Sequence, residues 1–384
     1  MKARSILAGA LGASLIMVLA CSATDEPTME SSNEDASGPE VAAASDAGGD
    51  APLDVEDAGD AATDASSPCT AGGWCETSVP SGADGGVLSL VDVWAHDDAD
   101  AWAIAATGEV VHWDGQAWSV VWNAGASLRA MWGASNGTIW AVGAAGTLIR
   151  HTPGSAIADW QTIDSGLSSD LKAVCVSTVE SPATESLWTT ALVSGNATIY
   201  HWRGETDSAG RPQWTTTAAG TGTDVNALWC SDKLVWAAGI SQSFPRNPLI
   251  MRYDGSKWIN PTKLPATGVS DLTLRSIWAA NASELWVSTS PLVFRGSGCC
   301  DGETEWSSFS VQSGPLPMDI WGTSASDVWV VGKHGRIYHW DGTELRISIT
   351  SRDGVVLPKV LRAVSGTSND VWVVGDDVAL HRQN

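Results

Sequence analysis

The sequence predicts an all-β fold: a closed seven-bladed β-propeller with four-stranded antiparallel blades. Three observations predict it. A pattern of short apolar runs recurs seven times from residue 88 onward. Every copy carries a Trp in its second run, at Trp102, Trp140, Trp188, Trp236, Trp286, Trp329 and Trp372. A fourth-run segment stands ahead of the first copy without three runs of its own, while the seventh copy ends without a fourth.

Residues 318–342 give the template. Met318 to Gly322 is an apolar run, Thr323 to Asp327 is turn-like, and Val328 to Gly332 is a second apolar run. Ile337 to Trp340 forms a third run, and Asp341-Gly342 is a hairpin signal. Runs this short, rich in β-branched and aromatic residues and bounded by Gly, Asn, Asp and Ser, suit strands rather than helices. The second run is apolar on both faces, so its sheet is expected to be covered on both sides.

Residues 1–21 read as an export signal. Lys2 and Arg4 precede an apolar stretch that ends Val18-Leu19-Ala20-Cys21. That ending resembles a bacterial lipobox, which implies lipidation at Cys21 and a membrane anchor. Ser22 after the Cys, by the same resemblance, implies the outer membrane of a Gram-negative cell envelope. Residues 22–68 read as an acidic disordered linker. They hold 13 Asp and Glu and no Lys or Arg. Such a segment buries too little apolar surface to offset its ordering entropy, and its random-coil reach is roughly 40 Å. It carries over half of the net charge of −23. An acidic chain repels a phosphate backbone, so no nucleic-acid partner is expected.

Residues 69–384 read as the propeller. First strands are expected at 90–94, 128–133, 171–176, 225–230, 274–279, 318–322 and 361–366. Third strands end at His112-Trp113, Arg150-His151, His201-Trp202, Arg252-Tyr253, Phe294-Arg295, His339-Trp340 and His381-Arg382. Fourth runs begin at Trp118, Trp160, Trp214, Trp258 and Trp306, with Leu345 in the sixth copy. Four strands per repeat of about 40–50 residues is the pattern of a propeller blade. Trp74 to Gly82 matches a fourth run, so this N-terminal segment is expected to complete the last blade and close the ring. The 22 Trp are then mostly packing between blades, each removing roughly 150–250 Å² from water. Trp122 lies outside the pattern and is the better candidate for a surface role.

The runs Leu361 to Val364, Asp370 to Gly375 and Gly335 to Trp340 resemble blades of the BNR-like propellers, which include the photosystem II assembly-factor type and bacterial lipoproteins, and the pairs Trp113-Asp114 and Trp340-Asp341 resemble WD repeats without their Gly-His partner. Asp114-Gly115-Gln116-Ala117-Trp118 and Asp254-Gly255-Ser256-Lys257-Trp258 resemble the tail of an Asp-box, without its opening Ser. The resemblance covers residues 70–384 and implies the fold; propellers host many functions.

With Cys21 assigned to lipid, six Cys remain in an oxidising compartment. Cys69 and Cys75 flank a short flexible loop and read as a disulfide. Cys299 and Cys300 are adjacent and could form a vicinal bridge. Cys175 and Cys230 end the first strands of neighbouring blades, where a bridge is conceivable. No zinc spacing is present, and four of the seven His occupy one repeat position in different blades, so neither metal nor cofactor is expected. No carboxylate pair stands out for glycoside hydrolysis, and Tyr200, Tyr253 and Tyr338 fall in third strands, so turnover is not expected.

One repeat position does not read as packing. The second residue of the first strand is taken as Asp92, Arg129, Lys172, Asn226, Arg275, Asp319 and Arg362. In a propeller the first strand lines the central channel, so these residues would form a polar ring around one mouth. The competing reading is mutual salt bridging, for example Arg362 with Asp92 across the closure. Function thus reads as a monomeric, non-enzymatic binding or scaffold protein of the cell envelope, with a protein or glycan partner at the channel mouth or loops. The alternative is a carbohydrate-active or glycan-binding propeller.

Overall fold

The computed structural model describes residues 69–177, 185–231, 234–242, 246–267, 269, 272–298, 304–311, 316–348, 351–352, 355–356 and 358–383. Cys21, the acidic segment, Cys299 and Cys300 lie outside them. No helix among the described residues is long and apolar enough to cross a membrane.

Seven four-stranded antiparallel sheets follow one another along the chain. The first blade is Leu90–Ala95, Ala101–Ala105, Glu109–Trp113 and Trp118–Asn123, in that order from the channel outward. The inner strand of every blade neighbours the inner strands of the two adjacent blades, and that of the last blade returns to the first. The ring is therefore closed. Closure uses the expected N-terminal piece: Cys75–Thr77 pairs with Val378–Gln383, placing Cys75 opposite His381 and Thr77 opposite Ala379. The paired part is shorter than the expected 74–82 segment. Trp74 nonetheless fills the gap to the sixth blade. It is fully buried, meets Trp329 edge-on at 5.5 Å, and donates from Nε1 to Ser348 Oγ at 2.9 Å.

Second strands are buried along their length, as their two-faced apolar pattern requires. Their Trp share one cross-strand device. Each faces a His or Arg on the third strand: His112, Arg150, His201, Arg252, Arg295, His339 and His381, respectively. The imidazoles of His201, His339 and His381 stack nearly parallel on their Trp at 3.5, 3.9 and 4.1 Å. In four blades the same group also reaches a carboxylate two residues before the Trp: His112–Asp100, Arg295–Glu284, His339–Asp327 and His381–Asp370, at 2.6–2.9 Å. The repeated third-strand His is thus the lid of a buried Trp. Trp122, on the outermost strand, is half-buried and stacks on Trp160 of the next blade at 6.4 Å.

Candidate functional site

The inner strands enclose a central cavity of about 410 Å³, within the range of small-ligand sites. All seven residues of the expected polar ring line it, at Asp92, Arg129, Lys172, Asn226, Arg275, Asp319 and Arg362. They do not all share one repeat position. In blades 1, 2, 3, 4, 6 and 7 the pairing register slips at the second inner-strand residue, a β-bulge. The skipped residues are Val91, Arg129, Lys172, Asn226, Met318 and Arg362, and Arg275 stands at the same point just before Ser276–Asn281. Asp92 and Asp319 are third residues, equivalent to Ala130, Ala173, Ala227, Ser276 and Ala363. The ring is therefore two layers: a mouth layer of cations with Val91, Asn226 and Met318, and a deeper layer with two carboxylates.

The deeper layer staples blades together. A third-position oxygen accepts the fourth-position N–H of the next blade three times: Asp92 Oδ2 from Met131 at 2.8 Å, Ser276 Oγ from Ile320 at 3.2 Å, and Asp319 Oδ2 from Val364 at 3.0 Å. Ser276 Oγ also donates to Asp319 Oδ1 at 2.6 Å. Burial, followed by the charge of Asp319, pushes the Asp92 carboxyl up to about 8. Burial also raises Asp319, against the hydrogen bonds it accepts.

In the mouth layer, three of the four cations already have counter-ions. Arg129 and Lys172 each reach an Asp at the start of the next blade's inner strand, one residue before Leu171 or Val225: Arg129 to Asp170 at 2.6 Å and Lys172 to Asp224 at 2.5 Å. Arg362 takes Asp376 of its own blade with two nitrogens, at 2.6 and 3.2 Å, rather than Asp92. Ser89 Oγ joins the same carboxylate across the closure at 2.6 Å. Burial alone would raise Asp376, but these bonds hold it below the usual range. The equivalent position after blade 5 is Leu316, so Arg275 is left exposed with no ion-pair partner among the described residues. Asn226 Nδ2 beside it donates to Leu274 O at 3.1 Å.

The far end of the cavity is aromatic. The fifth inner-strand residue is Trp94, Trp132, Trp229, Trp278 and Trp321 in five blades, and all five line the cavity. Trp94, Trp278 and Trp321 lie against the Gly at the sixth position of the next blade. A Cβ on Gly133 would fall 1.9 Å from the Trp94 ring, and one on Gly322 or Gly366 about 3 Å from Trp278 or Trp321. The two blades without this Trp make the same junction otherwise. Cys175, at the fifth position of blade 3, is disulfide-bonded to Cys230, at the sixth of blade 4. Ser365 Oγ of blade 7 accepts the Ala95 N–H of blade 1 at 3.4 Å. Cys69 and Cys75 are also bonded, at the entrance to the closing strand. Among the described residues no three His, Cys, Asp or Glu are grouped to hold a metal.

Comparison with known proteins adds the fold and little beyond it. No family model matches the chain. A stretch of 130 residues, 33% of this chain, is 31% identical to the transcriptional modulator WTM1 of Saccharomyces cerevisiae, and the match spans only 28% of that protein. YCF48 from Cyanidioschyzon merolae superposes with a TM-score of 0.58 at 14% identity, covering 81% of this chain and 99% of its own. The WD40 propeller domain of Doa1 gives 0.56 at 14%, covering 80% and 97%. The extracellular domain of BT4673 from B. thetaiotaomicron gives 0.58 at 14%, covering 80% of this chain and 40% of that one. These structures share the propeller architecture with this chain.

Proposed function

We propose that this chain is a non-enzymatic binding or scaffold propeller of the cell envelope, held by lipid at Cys21, whose channel mouth takes an anionic group of a protein partner. The observation that carries it is Arg275. It is an exposed guanidinium on the cavity, with no counter-ion among the described residues, between the amide of Asn226 and the apolar Met318. A guanidinium binds a carboxylate bidentately, and desolvation at a concave site strengthens the contact. Among the described residues no nucleophile paired with a general base stands beside it, and binding is read without turnover. A structure of a YCF48 propeller bound to D1 peptide, similar to this chain at TM-score 0.58, makes a peptide a reasonable occupant. The mouth is tested with an array of peptides bearing free C-termini, each with its amidated twin and acidic-side-chain variants. Arg275→Gln is expected to weaken carboxylate-dependent binding about tenfold, the scale of a lost charged hydrogen bond. Equal binding by Arg275→Gln and the parent would remove the mouth from consideration.

A further inference from the structure

The channel is polarised, and its second end has no role in the mouth reading. Trp94, Trp132, Trp229 and Trp321 are half-buried on the cavity, and Trp278 is more covered. None of the five indole nitrogens donates to a described residue, and none is sealed from solvent. That differs from the second-strand Trp236, Trp286, Trp329 and Trp372, whose indole nitrogens are buried and unpartnered. The collar therefore offers aromatic surface and free N–H donors together. The loops that rise from this end join first and second strands. Their described residues are short and polar: His96 to Asp100, Ser135 to Gly137, Asn281 to Ser283, Thr323 to Ser326, and Thr367 to Asn369. They contain hydroxyls, carboxamides, carboxylates and one imidazole, and no Lys or Arg. All the cations on the cavity lie at the other mouth.

We infer that the tryptophan collar is a second binding site, distinct from the cationic mouth, and that it takes a neutral saccharide. A sugar ring presents C–H groups to an aromatic face and oxygen acceptors at its edge. The collar supplies the faces and the indole donors, and the rim supplies side chains able to bond the remaining hydroxyls. A phosphate or carboxylate ligand finds no cation among the described residues of that rim, while acidic His96-to-Asp100 neighbours repel it. A purely apolar ligand would leave the five indole N–H groups without acceptors, which a cavity that excludes water penalises. The saccharide's oxygens remove that cost.

The test uses the full chain with ¹⁵N-labelled Trp, titrated with maltose, cellobiose and chitobiose, reading the indole N–H signals. At least one sugar is expected to shift a set of indole signals, and that set disappears from the spectrum in Trp132→Ser/Trp229→Ser. Ser is a measured choice, since Ser365 already occupies the same repeat position. The double variant should lose at least tenfold in affinity while keeping the remaining indole dispersion, which reports the fold. Arg275→Gln should leave sugar binding unchanged, and raising salt should not weaken it; this separates the collar from the mouth. Absence of shifts with all three sugars, or sugar binding retained by the folded double variant, would overturn the inference. So would sugar binding lost with Arg275→Gln.

Discussion

Asp92 shows how one side chain sets a measurable property of the ring. Its carboxyl accepts Val93 N at 2.9 Å and Met131 N at 2.8 Å, tying blade 1 to blade 2. It titrates near 8 in the fold, against about 3.9 in an unfolded chain. Between those values the folded state keeps a proton that the unfolded state has lost. The stability Asp92 contributes is therefore fully present below about pH 4 and is lost as pH rises through 8. Carboxylates held low act with the opposite sign. Asp254, brought down to about 2 by the Lys257 and Ser256 hydrogen bonds, completes its change below about pH 4 and stays out of this window. The melting temperature is expected to fall between pH 5 and pH 9, and Asp92→Asn, which cannot titrate, to flatten that fall. A parent whose melting temperature rises over this range, with Asp92→Asn following the same curve, would refute the assignment. The same residue marks a limit of sequence reading. Val91 is apolar and Asp92 is polar, so matching polarity alone placed Asp92 one position early. Only the bulge in the ladder separates the two layers, and a bulge leaves no composition signature beyond the Leu-x-Ala spacing of blades 2, 3 and 7.

At the scale of the strand, most of the architecture was readable because each second strand carries a Trp and each blade its own turn residues. The seven blades and the closing piece at Trp74 followed from that repetition. Two partners of the mouth cations were also written in the chain: Asp170 and Asp224 stand one residue before Leu171 and Val225, and Leu316 stands in that place, before Pro317, after Arg275. Recognising them needed the inter-blade geometry, which places position two of one blade beside the start of the next. The Cys175–Cys230 bridge was open from the sequence, since both Cys end first strands of neighbouring blades, and it is formed; its equivalence to a Trp contact exists only across blades. Two expectations follow for these elements. Removing residues 22–66 should leave the melting temperature unchanged. Removing residues 22–82 deletes the Cys75–Thr77 strand and the fully buried Trp74, and should cost more than about 3 kcal/mol, the scale of a lost buried aromatic; equal denaturation midpoints would contradict the closure. Replacing Cys175 and Cys230 by Ser should lower stability by about 2–4 kcal/mol with the circular dichroism spectrum retained, as measured by urea unfolding under oxidising conditions.

In the whole molecule, a closed ring with chemically different channel ends follows an acidic stretch at residues 22–68. If lipid at Cys21 is the anchor, Cys21→Ala should move the protein from the membrane to the soluble fraction on cell fractionation; continued membrane partitioning would exclude lipid as the main attachment. The acidity of the whole chain, −23, says little about the ring, because over half of it lies before residue 69. Local charge decides what the channel attracts, and there the exposed Arg275 stands apart from Arg129, Lys172 and Arg362, each already neutralised by a neighbour. The most direct measurement of that central claim is site-specific photocrosslinking in intact cell envelopes. A photoreactive residue is placed at position 275 in one strain and at the exposed outer-strand position of Val120 in another. The account predicts a discrete crosslinked species from position 275 that is lost when excess free carboxylate-bearing peptide selected on the array is added, and none from position 120. A crosslink from position 120 with nothing from 275 would place the partner on the outer rim and contradict the channel mouth as the binding site.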